Sequence, residues 1–402
     1  MRCSVPVNAE YTDQEIKSVF TPAPHLRCAA GAGVRVDLRP LILLVALVVL
    51  AACDARRPAP AVVTMVVTPT ADPSPVVVVP TVTPTPSPTP VPPIKRLASA
   101  ACCVQPFWSP DSRQVLFIDK PSPDAPIGIY AVNIDEPLAE PFRAFDMVGL
   151  YSRDFGLVAY PEGRETIVEQ LDNGERWAIP NQGQAIIFSP DATRIAWEIE
   201  QVEGPFDQRR SDIYLARYTG SDSVLIASVF GGGLVGWLDD QRILFSGRPS
   251  LDVRERRLTA LDISSNVAVD LVTAERIGGV AISPGGSWVA YFISFDEDAS
   301  RNSVWIQRTD GSDPVRLDFW GGYQWRDDSR LLTIPARDSA DVPFVIDEYD
   351  ATTGRSRPLT DPVIAPLEIA NGDWRVSPDG RYVVYVNSAD RDLWLVELAT
   401  DE

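Results

Sequence analysis

The stretch Arg375–Tyr385 reads RVSPDGRYVVY, and three other stretches repeat its pattern. They are Phe107–Phe117 (FWSPDSRQVLF), Ile187–Trp197 (IFSPDATRIAW) and Ala281–Tyr291 (AISPGGSWVAY). Weaker copies begin at Tyr151, Trp237 and Trp325. The spacings are 43, 37, 49, 45, 43 and 51 residues when measured between Asp111, Asp154, Asp191, Asp240, Gly285, Asp328 and Asp379. A unit of about 45 residues therefore recurs seven times, which is typical of a repeat architecture.

The repeated motif describes a tight turn between two strands. Serine suits the first position of a type I turn, proline the second, aspartate the third and glycine the fourth, as in Ser377-Pro378-Asp379-Gly380. An alternating third strand follows each turn, as in Asp392–Leu398 (DLWLVEL), and a short fourth strand comes next, as in Pro314–Phe319 (PVRLDF). Four strands per unit predict an all-β fold, a β-propeller of seven four-stranded blades, with six or eight as alternatives.

In these turns and strands the repeats resemble the TolB-like propeller family, whose blades carry this Ser-Pro-Asp-Gly/Ser turn and an Asp-Ile-Tyr or Asp-Leu-Trp strand. The resemblance covers nearly all of residues 94–402 and implies a scaffold that binds other molecules. Similarity of fold alone does not identify a ligand.

The two ends of the propeller complement each other. The last unit ends after its third strand, whereas Ile94–Ser99 resembles a fourth strand without a unit of its own. We expect this N-terminal strand to complete the last blade, which would pair an otherwise open sheet edge.

An export signal precedes the propeller. Residues 40–53 read PLILLVALVVLAAC behind Arg35 and Arg39, which is the pattern of a signal peptide with a short apolar core. Leu50-Ala51-Ala52-Cys53 matches a bacterial lipobox, so residues 34–53 are predicted to be a lipoprotein signal peptide, with lipid attached to Cys53. The protein would then be anchored to the cell membrane on its extracytoplasmic side, at the outer surface or facing the periplasm.

The remaining N-terminal residues divide into two parts. Residues 1–33 show no strand or helix periodicity and are predicted to be a misassigned or non-structural extension. Residues 54–93 hold 12 of the 36 prolines and no aromatic residue. This Pro/Thr/Val-rich segment is predicted to be an extended tether that holds the propeller, residues 94–402, away from the membrane.

Charge and histidine content exclude several functions. The chain has 36 Lys/Arg and 55 Asp/Glu, of which 7 and 6 precede residue 94, so the propeller carries 29 and 49 and a net charge of −20. Nucleic acid is therefore not expected as a partner. The only histidine, His25, lies before the signal peptide. Catalytic triads and His-ligated metals need an imidazole, so we predict no enzyme, no catalytic residue, no cofactor and no metal.

Several patterns keep alternatives open. Cys102 and Cys103 could form a vicinal disulfide, remain thiols or pair between molecules. The acidic loops lack a complete calcium-binding motif. Trp108, Phe188, Trp237, Trp325 and Trp374 are expected to pack between blades. The alternatives to a binding scaffold are an extracellular glycan- or peptide-acting enzyme that uses channel carboxylates and a sensor or accessory subunit of a membrane complex.

The loops between second and third strands are long and charged. They span residues 200–210, 247–255, 294–302 and 336–342, and they should share one face with the loops that join successive blades. Variable loops on a rigid scaffold commonly carry binding residues. We predict that a protein or glycan partner contacts this face through Phe206, Arg209, Arg210, Asp296, Asp298 and Asp338.

Overall fold

The computed structural model describes residues 94–99, 105–119, 124–337, 339 and 342–399. These residues form 27 β-strands and two short 3-10 helices, with no α-helix among them. No helix in this part of the chain is both long enough and apolar enough to span a bilayer. The predicted all-β class is confirmed. Cys53, Cys102, Cys103 and Asp338 lie outside the described residues.

The strands follow the repeats of the sequence. The first nine are β1 (Ile94–Ala98), β2 (Phe107–Trp108), β3 (Gln114–Asp119), β4 (Gly128–Asn133), β5 (Phe142–Phe145), β6 (Leu150–Tyr151), β7 (Leu157–Glu162), β8 (Glu165–Gln170) and β9 (Arg176–Ile179). The next seven are β10 (Ile186–Phe188), β11 (Arg194–Glu200), β12 (Arg210–Arg217), β13 (Val224–Trp237), β14 (Arg242–Arg248), β15 (Arg256–Asp262) and β16 (Val267–Ala274).

The remaining strands are β17 (Ile277–Ile282), β18 (Trp288–Ile293), β19 (Ser303–Arg308), β20 (Val315–Leu317), β21 (Gly321–Trp325), β22 (Arg330–Pro335), β23 (Asp347–Asp350), β24 (Arg355–Pro358), β25 (Ile369–Val376), β26 (Tyr382–Asn387) and β27 (Leu393–Glu397). The 3-10 helices are Phe206–Gln208 and Ala299–Arg301.

The sheets are antiparallel and are arranged as a β-propeller. Five sheets have four strands: β2–β5, β6–β9, β17–β20, β21–β24, and β25–β27 with β1. The sixth sheet runs from β10 to β16 and has seven strands. The prediction of separate four-stranded sheets is therefore wrong for this part of the chain. The reason is that β13 continues through Gly231, Gly232 and Gly233 and pairs with both β12 and β14.

The predicted closing strand is confirmed. β1 pairs antiparallel with β27, with Ile94 opposite Val396 and Arg96 opposite Trp394. Leu97 is fully buried in an apolar cluster that contains residues of the β2–β5 sheet and of the final sheet. The Arg96 guanidinium also lies 2.9 Å from the Asp392 carboxylate. The N-terminal strand thus pairs with the last strand of the chain and packs against the first complete sheet.

The repeated turns behave as their sequence predicts. The hydroxyl of Ser109 donates to the carboxylate of Asp111 at 2.6 Å, and the Ser152–Asp154 and Ser189–Asp191 pairs have the same geometry. Because the strands alternate in direction, these turns and the connections between third and fourth strands lie on one face, which we call the turn face. The loops between second and third strands and the connections between sheets lie on the opposite face, which we call the loop face.

Candidate functional site

The loop between β11 and β12 is a long hairpin supported from one side. The Phe206 ring lies 5.6 Å from the Arg256 guanidinium of β15. Arg248 lies 3.8 Å from the Asp207 carboxylate and also donates to the Asp207 carbonyl. A Cβ atom on Gly231 would come within 2.8 Å of the Asp207 backbone, so the chains meet closely there. The hairpin therefore rests on the neighbouring strands β13–β15.

The basic residues at the end of this hairpin are held by local contacts. The Arg209 Nε donates to the Gly204 carbonyl at 3.0 Å, and its guanidinium lies 3.8 Å from the Glu200 carboxylate. Arg210 begins β12, and its Nε donates to Asp212 at 2.8 Å. The side chains of Arg210 and Phe206 are exposed to a similar extent, whereas that of Arg209 is more buried. The three predicted residues thus share one hairpin but have different surroundings.

The loop between β18 and β19 carries the two predicted aspartates. Asp296 is largely buried and lies 3.0 Å from the Arg301 guanidinium. Asp298 caps the second 3-10 helix by accepting from the Ser300 amide at 3.0 Å. The hydroxyl of Ser300 also donates to Asp298 and holds the pKa of that carboxyl below its ordinary value. Both aspartates therefore make contacts within their own loop that fix its conformation.

Arg254 connects this loop to the preceding one. Its guanidinium lies 2.6 Å from the Glu275 carboxylate and 3.6 Å from that of Glu297. Phe295 is 78 % exposed, with the Arg276 guanidinium 4.8 Å from its ring centre. The β14–β15 and β18–β19 loops are therefore joined to each other and to the β16–β17 connection by ionic and cation–π contacts.

Large apolar side chains are exposed unevenly on the two faces. Twelve of the described ones lie in loops, ten on the loop face and two on the turn face. The ten are Ile127, Met147, Val202, Phe206, Leu251, Phe295, Trp320, Val342, Val363 and Ile364. The two are Leu138 and Leu171. Exposed apolar surface that is rimmed by polar residues is typical of binding sites, so the loop face is the better candidate of the two.

A cleft of about 610 Å³ opens beside the β11–β12 hairpin, on the side away from β13–β15. Its polar lining includes Arg209 and Arg210, which the sequence singled out, together with Gln182, Asp212 and Tyr214, which it did not. The lengths of neighbouring hairpin loops were the feature of the sequence that could have indicated this cleft. The loop between β7 and β8 has only two residues, Gly163 and Arg164, whereas the next such loop spans residues 201–209. A short hairpin beside a long one leaves the flank of the long one uncovered.

The other sequence-based expectations have mixed outcomes. Trp108, Trp237, Trp325 and Trp374 are buried, as expected of residues that pack between sheets, and Phe188 is half-buried. Within the described residues, no group of three His, Cys, Asp or Glu side chains converges in a way that could hold a metal ion. Burial raises the pKa of the Asp347 carboxyl, at the start of β23. The suggested binding residues stay a prediction.

Comparisons with known proteins show the fold alone. No model of a protein family matches the sequence, and a comparison with curated proteins found no relative. An oligogalacturonate lyase in complex with manganese is 13 % identical, with a TM-score of 0.51 over 76 % of this chain and 90 % of the lyase. The oligogalacturonate lyase of Vibrio parahaemolyticus is 11 % identical, with a TM-score of 0.54 over 76 % of this chain and 97 % of that enzyme.

TolB from Acinetobacter baumannii is also among the similar structures. It is 15 % identical, with a TM-score of 0.37 over 69 % of this chain and 77 % of TolB. The two lyases and the sheets themselves show a β-propeller fold. These similarities show the fold and no function.

Proposed function

We propose that this chain is a lipid-anchored, extracytoplasmic β-propeller of seven blades that acts as a non-catalytic protein-binding scaffold. The anchor is Cys53, after cleavage of the signal peptide, and residues 54–93 form the tether. In this proposal the chain belongs to the TolB-like propellers, because its repeats resemble theirs. The partner binds at the loop face.

The blade count is supported by the apolar clusters between sheets. We count β10–β12 with the first half of β13 as one blade, and the second half of β13 with β14–β16 as another. Seven apolar clusters then each join one neighbouring pair of blades. One of them joins Trp237 and Ile243 to Ala196, across the long strand. Another joins the last blade to the first and completes the circle.

The observation that carries the proposal is the uneven exposure of apolar side chains. Phe295, Trp320 and Phe206 are exposed on the loop face, and an arginine lies beside each of the two phenylalanines. Aromatic residues and arginine are enriched where proteins bind each other. The ionic contacts between loops hold this surface in place before binding, which lowers the entropic cost of association. Because the propeller has a net charge of −20, a partner with a basic rim is favoured electrostatically.

The test begins by crosslinking from the surface of cells that express the protein and continues with the purified partner and the full-length chain in detergent. Replacing Leu251 and Phe295 by serine should weaken binding by about tenfold or more, because aromatic and apolar anchors dominate such interfaces. Glu203→Lys with Asp298→Lys should weaken it further through loss of charge complementarity, most strongly at low salt.

Matched controls lie on the turn face. Leu138→Ser with Leu171→Ser, and Asp172→Lys, should leave the affinity unchanged. Equal losses for both sets of variants, or a loss only for the turn-face set, would overturn the proposal. Hydrolysis or elimination of a glycan or peptide by the unmodified protein would favour the enzyme alternative, with Asp347 as the first residue to replace.

A further inference from the structure

The flank of the β11–β12 hairpin forms a cleft because neighbouring hairpins differ in length. The turn between β7 and β8 has two residues, Gly163 and Arg164, whereas the loop between β11 and β12 spans residues 201–209. The connection between β9 and β10 packs against this turn, since a Cβ on Gly183 would lie 3.0 Å from the Gly163 carbonyl. The exposed flank of the long hairpin and Gln182 in that connection line the cleft.

Three side chains on this flank hold one another in fixed positions. Arg210 Nε donates to Asp212 Oδ1 at 2.8 Å, and Arg210 Nη2 donates to Ser228 Oγ at 3.0 Å. Ser228 Oγ in turn donates to the same Asp212 oxygen at 2.5 Å. Among the described residues, Arg210 Nη1 and Asp212 Oδ2 have no hydrogen-bond partner. A donor and an acceptor therefore stand side by side at the cleft with unused hydrogen-bonding capacity.

An aromatic ring lies on the same flank. Tyr214 is half-buried in the cleft lining and stacks on Trp197 with an interplanar angle of 9° and 5.6 Å between ring centres. Its hydroxyl makes no hydrogen bond within the described part of the chain. Gln182 is placed by the buried Asn181, whose Nδ2 donates to the Gln184 carbonyl at 2.7 Å. The cleft thus combines an aromatic and aliphatic floor, completed by Ile199, with fixed polar groups at its edge.

The charges and strand pairing narrow the class of ligand. Arg209 and Arg210 are opposed by Glu200, Glu203 and Asp212 in the lining, so the cleft does not attract an anion. A peptide that adds a strand needs an unpaired sheet edge, but β11 and β12 are each paired on both sides. The volume falls within the range of about 300–1,000 Å³ that is typical of small-molecule sites.

We propose that this cleft binds a neutral hexose unit of a glycan. Each sugar hydroxyl both donates and accepts a hydrogen bond, so adjacent hydroxyls match the Arg210 donor beside the Asp212 acceptor. The apolar face of a pyranose ring matches the floor formed by Tyr214 and Ile199. Because Arg210, Asp212 and Ser228 are already fixed to one another, binding orders few side chains. The cleft shares the β11–β12 hairpin with the loop face, but Asp212 and Tyr214, which carry this proposal, lie on strand β12 rather than in the loop.

The test uses the full-length chain in detergent and a panel of neutral oligosaccharides of glucose, galactose, mannose and N-acetylglucosamine, followed by titration calorimetry. We expect binding of at least one neutral sugar at millimolar concentration or below. Asp212→Asn removes the charged acceptor, and Tyr214→Phe removes a hydroxyl that can bond a sugar hydroxyl beside the ring, so each should reduce the affinity by about tenfold, equivalent to about 1.4 kcal/mol. Both substitutions keep the shape of the side chain, and circular dichroism melting curves check that the fold is intact.

The matched control is Asp222→Asn, which removes an aspartate at the turn-face end of the same strands. Asp222 is exposed and lies 3.0 Å from Arg217. This variant should bind as tightly as the unmodified protein. The proposal is overturned if no neutral sugar binds, if the cleft variants bind as well as the control, or if only anionic oligosaccharides such as oligogalacturonate bind. If the unmodified protein binds a neutral sugar but captures no protein partner, only the function proposed for the loop face is contradicted.

Discussion

The indole Nε1 of Trp108 donates a hydrogen bond to the carbonyl of Arg375, 3.1 Å away and 267 residues later in the chain. The same contact recurs around the propeller. Trp237 donates to the Ile187 carbonyl at 3.1 Å, and Trp325 donates to the Ala281 carbonyl at 2.9 Å. Each tryptophan comes directly before a turn, and each acceptor lies two residues before the corresponding turn position of the preceding repeat. The tryptophans therefore link successive repeats through polar contacts as well as through packing.

Replacing Trp108 by phenylalanine should lower the free energy of unfolding by about 1–3 kcal/mol, because it removes the hydrogen bond and leaves the Arg375 carbonyl without this donor. Urea denaturation measures the change. Trp320→Phe is the control, since Trp320 is 47 % exposed and should change stability by no more than about 0.5 kcal/mol. Equal effects for the two variants would show that the Trp108 contact does not stabilise the closure.

The closing strand gives a second prediction. A chain that begins at Ala100 lacks β1, exposes the edge of β27 and removes Leu97 from the apolar cluster between the first and last sheets. It should lose cooperative thermal unfolding or aggregate, whereas a chain that begins at Val91 should not. Leu97→Ala in the full-length chain should cost about 2–5 kcal/mol, because the side chain is fully buried. Identical melting curves for the two shortened chains would mean that closure does not depend on β1.

The repeats could be predicted because each turn is encoded locally by four consecutive residues. Contacts between repeats could not be predicted in this way. The turn at Ser283 has Gly285 where other turns have aspartate, and Asp328 of the next repeat accepts from the Ser283 hydroxyl and the Gly285 amide instead. The two turns look independent in the sequence, whereas in the structure the Asp328 carboxylate connects them.

The continuous strand β13 and the cleft have the same explanation. The run Gly231-Gly232-Gly233 resembles a connection between repeats, but a Cβ on Gly232 would lie 2.1 Å from the Ser246 carbonyl oxygen. Here glycine permits close packing of a continuous chain. The cleft depends on the relative heights of two hairpins from different repeats. The sequence indicated the long loop and its arginines as a binding segment. It did not indicate Asp212 and Tyr214, because they lie in an ordinary alternating strand.

Lipid attachment gives a third prediction, which concerns residues outside the described part of the chain. Cys53→Ser should leave the precursor unprocessed or released from the membrane, because the acyl chains on this one sulfur contribute about 0.8 kcal/mol per buried CH₂. Labelling with radioactive palmitate and fractionation of membranes measure both effects. Cys28→Ser is the control and should be labelled normally. Palmitate on the Cys53→Ser protein would contradict the predicted anchor.

The turn-face aspartates give a prediction about acid. The Ser109 hydroxyl and the Arg113 amide donate to Asp111, and the Ser152 hydroxyl and the Gly156 amide donate to Asp154. These hydrogen bonds, chiefly those from the serines, hold the pKa of each carboxyl below its ordinary value. A carboxyl whose pKa is lower in the folded than in the unfolded state stabilises the fold above the unfolded pKa of about 3.9. That contribution is lost as the pH falls through the lower, folded pKa.

The double variant Asp111→Asn with Asp154→Asn should therefore be less stable than the unmodified protein at pH 7, and the difference should shrink as the pH falls from about 5 to about 2. Urea denaturation at a series of pH values measures this difference directly. Asp222→Asn is again the matched control, since it changes one exposed carboxyl in another turn and should give a small difference at neutral pH. If the double variant differs from the unmodified protein by the same free energy at every pH, the two aspartates contribute through turn geometry rather than through their ionised carboxylates.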